Sequence, residues 1–154
     1  MQAEWSPRSL SYGLAGGNSG LAVLYDAIAR ALHDPRFASQ RDIRWNAAVD
    51  QVAEVDSHPS LYAGYSGLGW ATAMLGDGVS ENEDTVHEEL EEAMLACLDE
   101  PPQTYDLVSG PVGWALYSLE RWPRPRAQRA LRRILEHLGR SAERVSDGFR
   151  WWTP

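Results

Sequence analysis

The chain has 154 residues, 44% of them hydrophobic, enough for a core of ordinary size and too many for disorder along the whole length. Its formal net charge of −8 excludes nucleic acid as the main partner, since phosphate binding needs a basic face. No apolar run is long enough to span a bilayer, and the single cysteine, Cys97, excludes an internal disulfide and a cysteine-rich metal site.

From the N-terminus, Met1-Gln2-Ala3-Glu4-Trp5 lacks the basic and then apolar run of a signal peptide, so the chain reads as cytoplasmic. Gly17-Asn18-Ser19-Gly20 opens the first helical pattern, in which Leu21, Leu24, Tyr25, Ile28 and Leu32 recur at helical spacing up to Asp34-Pro35. Ile43, Ala47, Ala48, Val52 and Val55 form a second stripe. Gly64-Tyr65-Ser66-Gly67 then opens a short apolar helix ending at Leu75, before Gly76-Asp77-Gly78. Val86, Leu90, Ala93, Met94, Cys97 and Leu98 trace an amphipathic helix with an acidic first turn, closed by Pro101-Pro102. Gly110-Pro111-Val112-Gly113 opens a third apolar stretch, Val112 to Leu119, stopped by Pro123 and Pro125. Leu131, Ile134, Leu135, Leu138 and Ala142 make the last stripe, and no segment reads as a strand.

The three Gly-x-x-Gly turns begin at Gly17, Gly64 and Gly110, spaced by 47 and 46 positions, so the chain is a threefold repeat with units near 11–57, 58–102 and 103–154. Helices that are apolar all round must be buried, whereas amphipathic ones face water on one side. The alternation predicts a double layer, with inner helices starting at the glycine turns and outer helices wrapping them. Glycine suits such a turn because it accepts positive φ and close backbone approach. The helix N-termini that follow offer free N–H groups to polar substrate groups, although tight packing alone would also explain the glycines.

Charge is segregated. All 14 basic residues are arginines, eight of them between Arg121 and Arg144, while the stretch from Glu81 to Glu100 is strongly acidic. The pattern reads as two solvated helix faces or as a docking surface for a charged peptide.

The segments Ser11–Tyr25, His58–Leu75 and Gln103–Leu119 resemble the first three repeats of lanthionine synthetase C-like (LanC-like) proteins. Pro59-Ser60-Leu61-Tyr62-Ala63-Gly64-Tyr65-Ser66-Gly67 is similar to the family's second-repeat pattern. Tyr105-Asp106-Leu107-Val108-Ser109-Gly110-Pro111-Val112-Gly113 is similar to its third, and Asp147 to Pro154 resembles the linker before its fourth. The resemblance implies an all-α fold, a partial α/α toroid of about three helical hairpins out of the seven in a complete member. It also implies peptide modification of the kind used in lantibiotic biosynthesis. There a zinc-bound cysteine thiolate of a precursor peptide adds to a dehydroalanine or dehydrobutyrine, and a proton donor quenches the resulting enolate.

One functional residue carries over from the family, Asp106, which the resemblance assigns to the acid/base apparatus; its plain alternative is a turn or capping aspartate. The family's two zinc cysteines and its zinc histidine belong to later repeats and have no counterpart here. Cys97 reads as a core cysteine, and His33, His58, His87 and His137 are scattered. No cofactor is therefore expected in this chain, zinc being expected only in a complete member. The chain is expected to be inactive by itself as a cyclase, with a precursor peptide as its partner. A non-catalytic peptide-binding scaffold is the alternative. Another α/α-toroid enzyme, such as a carbohydrate-active one, would need a second acid at an inner-helix mouth, and none precedes Gly17 or Gly64. Apolar faces of the first and last hairpins are expected to lie uncovered and to drive self-association.

Overall fold

The computed structural model describes residues 12–52, 58–76, 83–99 and 104–151. Helix α1 (Asn18–Leu32) starts after Gly17 and ends where His33 turns left-handed at φ 53°. Helix α2 (Pro35–Val52) begins one residue later, with the Asp34 carboxylate accepting the Arg36 N–H at 2.9 Å, the bond an N-cap supplies. Helix α3 (Tyr65–Leu75) stops at Gly76, whose φ of 71° ends the helical run. Helices α4 (Glu83–Cys97), α5 (Pro111–Glu120) and α6 (Pro125–Ser141) complete the order, the last two starting on prolines that need no N–H partner.

Helix α3 lies between α1 and α5, forming an inner row, while α2 packs on α1, α4 on α3, and α6 on both α5 and α4. This is the predicted double layer, a three-hairpin arc of an all-α toroid. One apolar cluster joins the first two hairpins through Ala22, Trp45, Ala48, Leu68, Ala71 and Leu75. A second joins the last two through Tyr65, Met94, Leu98, Trp114, Tyr117 and Ile134. No helix among the described residues is long and apolar enough to cross a membrane.

The structure corrects the sequence reading at several points. The apolar stripe of α1 is only partly covered: Leu21, Tyr25 and Ile28 are half-buried, with Tyr25 stacked on Phe37 of α2. Ser19, Ala22 and Asp26 are the buried positions of α1, whereas Leu24 is 51% and Leu32 64% exposed. Periodicity locates an apolar face but cannot say which neighbour covers it. Asp26 can be buried because Arg30 and Arg41 both pair with it. In α6 the buried stripe is Ala127, Ala130 and Ile134, and Leu135 points outward. A short antiparallel hairpin, β1 (Glu143–Val145) with β2 (Gly148–Arg150), also follows α6 where no strand was expected. Its turn is Ser146-Asp147, and Gly148, the first residue of β2, has φ 148°. The stop at Pro101-Pro102 and the position of Val55 lie outside the described residues.

The segregated charges lie on solvated faces, as one of the two sequence readings has it, and they also face each other. Arg121 and Arg124 pair with Asp84, Arg126 with Glu88 and Glu92, and Arg133 with Asp99 at 2.6 Å. The acidic and arginine-rich segments are thus two sides of one seam between α4 and α6. Arg133 also donates to the carbonyls of Leu95 and Leu98, satisfying acceptors at the end of α4.

Candidate functional site

The three glycine turns lie side by side at the N-terminal ends of the inner helices. Gly17, Gly64 and Gly110 are N-caps with extended backbones, at φ −100°, −117° and −93°, and none of the six motif glycines has positive φ. The expectation of left-handed glycines is therefore corrected: close approach is what the motif requires. A Cβ on Gly20 would run into the carbonyl oxygen of Leu14, one on Gly67 into that of Leu61, and one on Gly113 into that of Leu107. Each of those carbonyls lies six residues upstream, so each repeat closes its turn in the same way.

The turns are also tied to one another. The N–H of Ala15 donates to the carbonyl of Tyr62 at 3.0 Å, and the N–H of Tyr62 to the carbonyl of Val108 at 3.2 Å. Ala15, Tyr62 and Val108 occupy equivalent positions in the three repeats, so one backbone rung recurs along the arc. The Val108 N–H does not extend this ladder, because it donates to Asp106 Oδ1 at 2.8 Å.

Asp106 therefore sits at the mouth of the third inner helix, as predicted. Its Oδ1 also accepts the Ser109 N–H at 2.8 Å, and the Ser109 hydroxyl reaches Oδ1 at 3.3 Å and Oδ2 at 3.1 Å. The backbone N–H of Ser109 is the main cause holding its carboxyl below the usual carboxylate range, with the Ser109 hydroxyl and the Val108 and Gly110 N–H groups adding to it. Asp106 is thus a carboxylate at neutral pH, suited to attract a cation or an N–H donor and poorly suited to give up a proton.

The second repeat makes the same cap without a charge. Ser60 stands at the position equivalent to Asp106, and its Oγ accepts the Ala63 N–H at 3.1 Å while donating to the Val108 carbonyl at 2.8 Å. Sequence reasoning missed Ser60, though its signal was present: Ser60 and Asp106 each precede a Gly-x-x-Gly motif by four residues. Asp106→Ala is expected to cost about 1–2 kcal/mol of stability, the usual loss of a capping oxygen. Asp106→Ser, which copies the second repeat, is expected to stay within about 0.5 kcal/mol of the native chain by urea unfolding.

Beside this loop lies a groove of about 720 Å³, lined by His58, Cys97, Asp99, Ser109 and Trp114 among others. It is bounded by the loops of the second and third repeats and by the C-terminal end of α4. Cys97 is half-buried with its Sγ 3.6 Å from the Tyr65 hydroxyl, so it lines the groove as well as packing in the core. The other histidines lie elsewhere. His33 ends α1, His137 is on α6, and His87 is fully buried with Nδ1 2.8 Å from the Tyr117 hydroxyl. Among the described residues no three histidine, cysteine or acidic side chains gather as a metal site. The donors among the described residues do not fit the zinc of the complete family.

Parallel inner helices opened by glycine turns, each backed by an outer helix, define a repeat protein of the α/α-toroid class. The family model for lanthionine synthetase C-like proteins matches residues 8–154, and the chain belongs to that family. No curated protein matches the chain.

Proposed function

We propose that this chain is the peptide-holding N-terminal part of a lanthionine-forming cyclase, acting in the cytoplasm, with Asp106 as its anionic contact to the precursor peptide. The observation that carries this reading is the pairing of Asp106 with Ser60. The fold makes the same cap with a neutral serine, so the charge at Asp106 is surplus to folding and free for recognition. The groove beside it, with Trp114 in its wall and His58 at its rim, gives an extended peptide a place to lie. In this reading Asp106 accepts N–H or ammonium donors from the peptide, and its proton is already gone before substrate arrives.

Ring closure is not assigned to this chain alone, because its histidines and its one cysteine are dispersed. The same dispersal favours a second reading, a non-catalytic binding module of the same family. A dehydrated peptide carrying one cysteine tests both. Binding by the native chain is expected, weakened about tenfold in Asp106→Ser, the effect of losing one charge-assisted hydrogen bond. The free-thiol titre of the mixture is expected to stay constant. Equal binding by Asp106→Ser overturns the role of the charge, and thiol consumption by this chain alone overturns the assignment to a holding part.

A further inference from the structure

Asp106 is held by the second repeat as well as by its own. The Val108 carbonyl and the Ser109 N–H are the two ends of one peptide unit, which is planar and stiff. At the N–H end, Ser109 donates to Asp106 Oδ1 at 2.8 Å, the bond that does most to keep this carboxyl ionised. At the carbonyl end, Val108 accepts the Ser60 hydroxyl at 2.8 Å and the Tyr62 N–H at 3.2 Å. Two donors of the second repeat therefore grip the unit that delivers this bond to the third repeat's carboxylate.

Of the two, the hydroxyl is the one with a fixed direction. Ser60 is 1% exposed, so water does not compete for it. The Ala63 N–H can only donate to its oxygen and the Val108 carbonyl can only accept, so the hydroxyl proton must lie toward Val108. Hydrogen bonds in series polarise one another, and a donor on a carbonyl strengthens the N–H at the other end of the same peptide unit. The first repeat cannot do this for the second. Gly13 stands at the position equivalent to Ser60 and carries no hydroxyl, and a Cβ there would lie 2.8 Å from the Tyr62 carbonyl oxygen.

We infer that Ser60 is a positioning residue for Asp106: through the Val108–Ser109 peptide unit its hydroxyl orients the carboxylate and tightens the bond on Oδ1, leaving Oδ2 for the peptide. The inference rests on the reading of Asp106 as the anionic contact of the precursor peptide. It makes the holding site a product of two repeats. Serine and aspartate at equivalent positions then have different tasks, one steering and one touching the ligand.

The carboxyl carbon resonance of Asp106, followed with pH in the peptide-free chain, tests the link. Burial and hydrogen bonds from 108–110 act on this group, with no charged side chain of the described residues among the causes, so its titration reports those bonds. In Ser60→Ala the midpoint is expected to rise by about half a pH unit, about threefold in the acid constant. A serine that merely capped the Ala63 N–H would lower the urea midpoint and leave this titration unmoved. The native chain gives an independent readout should Ser60→Ala not fold. There the Ser60 β-carbon resonance is expected to titrate with the Asp106 midpoint and to stay flat in Asp106→Ser. Binding of the dehydrated, cysteine-containing peptide at neutral pH is expected to weaken about threefold in Ser60→Ala. An Asp106 midpoint unchanged in folded Ser60→Ala overturns the inference, as does a native Ser60 resonance that stays flat. Equal peptide binding by the native chain and Ser60→Ala also overturns it. A native chain that binds no peptide while the midpoint rises in Ser60→Ala removes the holding function and upholds the link to Asp106.

Discussion

Replacing Gly67 by alanine is expected to destabilise the protein by about 3 kcal/mol, within the range for forcing a side chain into closed space. For a chain of this size that is a fall of about 10 °C in Tm. The new Cβ would strike the carbonyl oxygen of Leu61, a backbone atom held in the turn, and would lie 3.1 Å from Leu14 Cβ. A flexible side chain could move aside, whereas this carbonyl cannot shift without opening the turn that starts α3. Gly113→Ala meets the Leu107 carbonyl and, at 2.8 Å, Leu61 Cβ, and is expected to behave alike. Gly139→Ala is the control. It lies in α6 with open space around its Cβ position, and alanine there is expected to stabilise by about 0.5–1 kcal/mol. Thermal melts of the three variants check this; a Gly67→Ala chain that melts with the native one would show that the turns have slack.

The second large effect is an acid-dependent loss of stability centred on His87. This residue is fully buried in α4, and a 2.8 Å hydrogen bond joins its Nδ1 to the Tyr117 hydroxyl of α5, with the rings stacked at 5.8 Å. Burial first, then the nearby Arg121 guanidinium, push its pKa down from 6.5 to about 4, with Asp84 opposing. A histidine depressed in the folded state contributes stability that is present above the unfolded value and lost as pH falls through the folded one. The window here runs from 6.5 down to about 4, and the full loss is about 3 kcal/mol. Glu91, 2% exposed, acts in the opposite sense. Burial raises its pKa, against the pull of Arg121 at 3.5 Å, so its contribution is present at low pH and fades as pH rises. It offsets part of the histidine loss near the acid end. His87→Gln removes the titrating ring, and the fall in urea midpoint between pH about 6.5 and 4 is expected to shrink by more than half. An unchanged fall would assign the acid sensitivity to other groups.

Much of the scaffold was legible because its strongest constraints are local. A glycine required by a carbonyl six residues upstream leaves a mark at fixed spacing, and Gly20, Gly67 and Gly113 carry it three times. Asp106 was legible as a residue at a helix mouth for the same reason. What escaped depends on contacts distant in sequence. The burial of Asp26 rests on Arg41, 15 positions away, and His87 of α4 finds Tyr117 of α5 only when both helices pack on α3 and α6. The acidic and arginine-rich segments read as separate surfaces because nothing in either says that α4 and α6 pack together. The role of Ser60 was hidden by its chemistry: a serine before a turn is unremarkable until its hydroxyl is seen in the place of the Asp106 carboxylate.

The central functional claim is that the glycine-turn face beside Asp106 holds the peptide. Amide chemical-shift mapping of the isotopically labelled chain during titration with a dehydrated, cysteine-containing peptide tests it most directly. Saturable shifts are expected, confined to 58–64, 104–110 and the indole of Trp114, with those around 106 lost in Asp106→Ser. Shifts centred instead on the α4–α6 seam or on the exposed faces of α1 and α5, or no shifts at all, would contradict it.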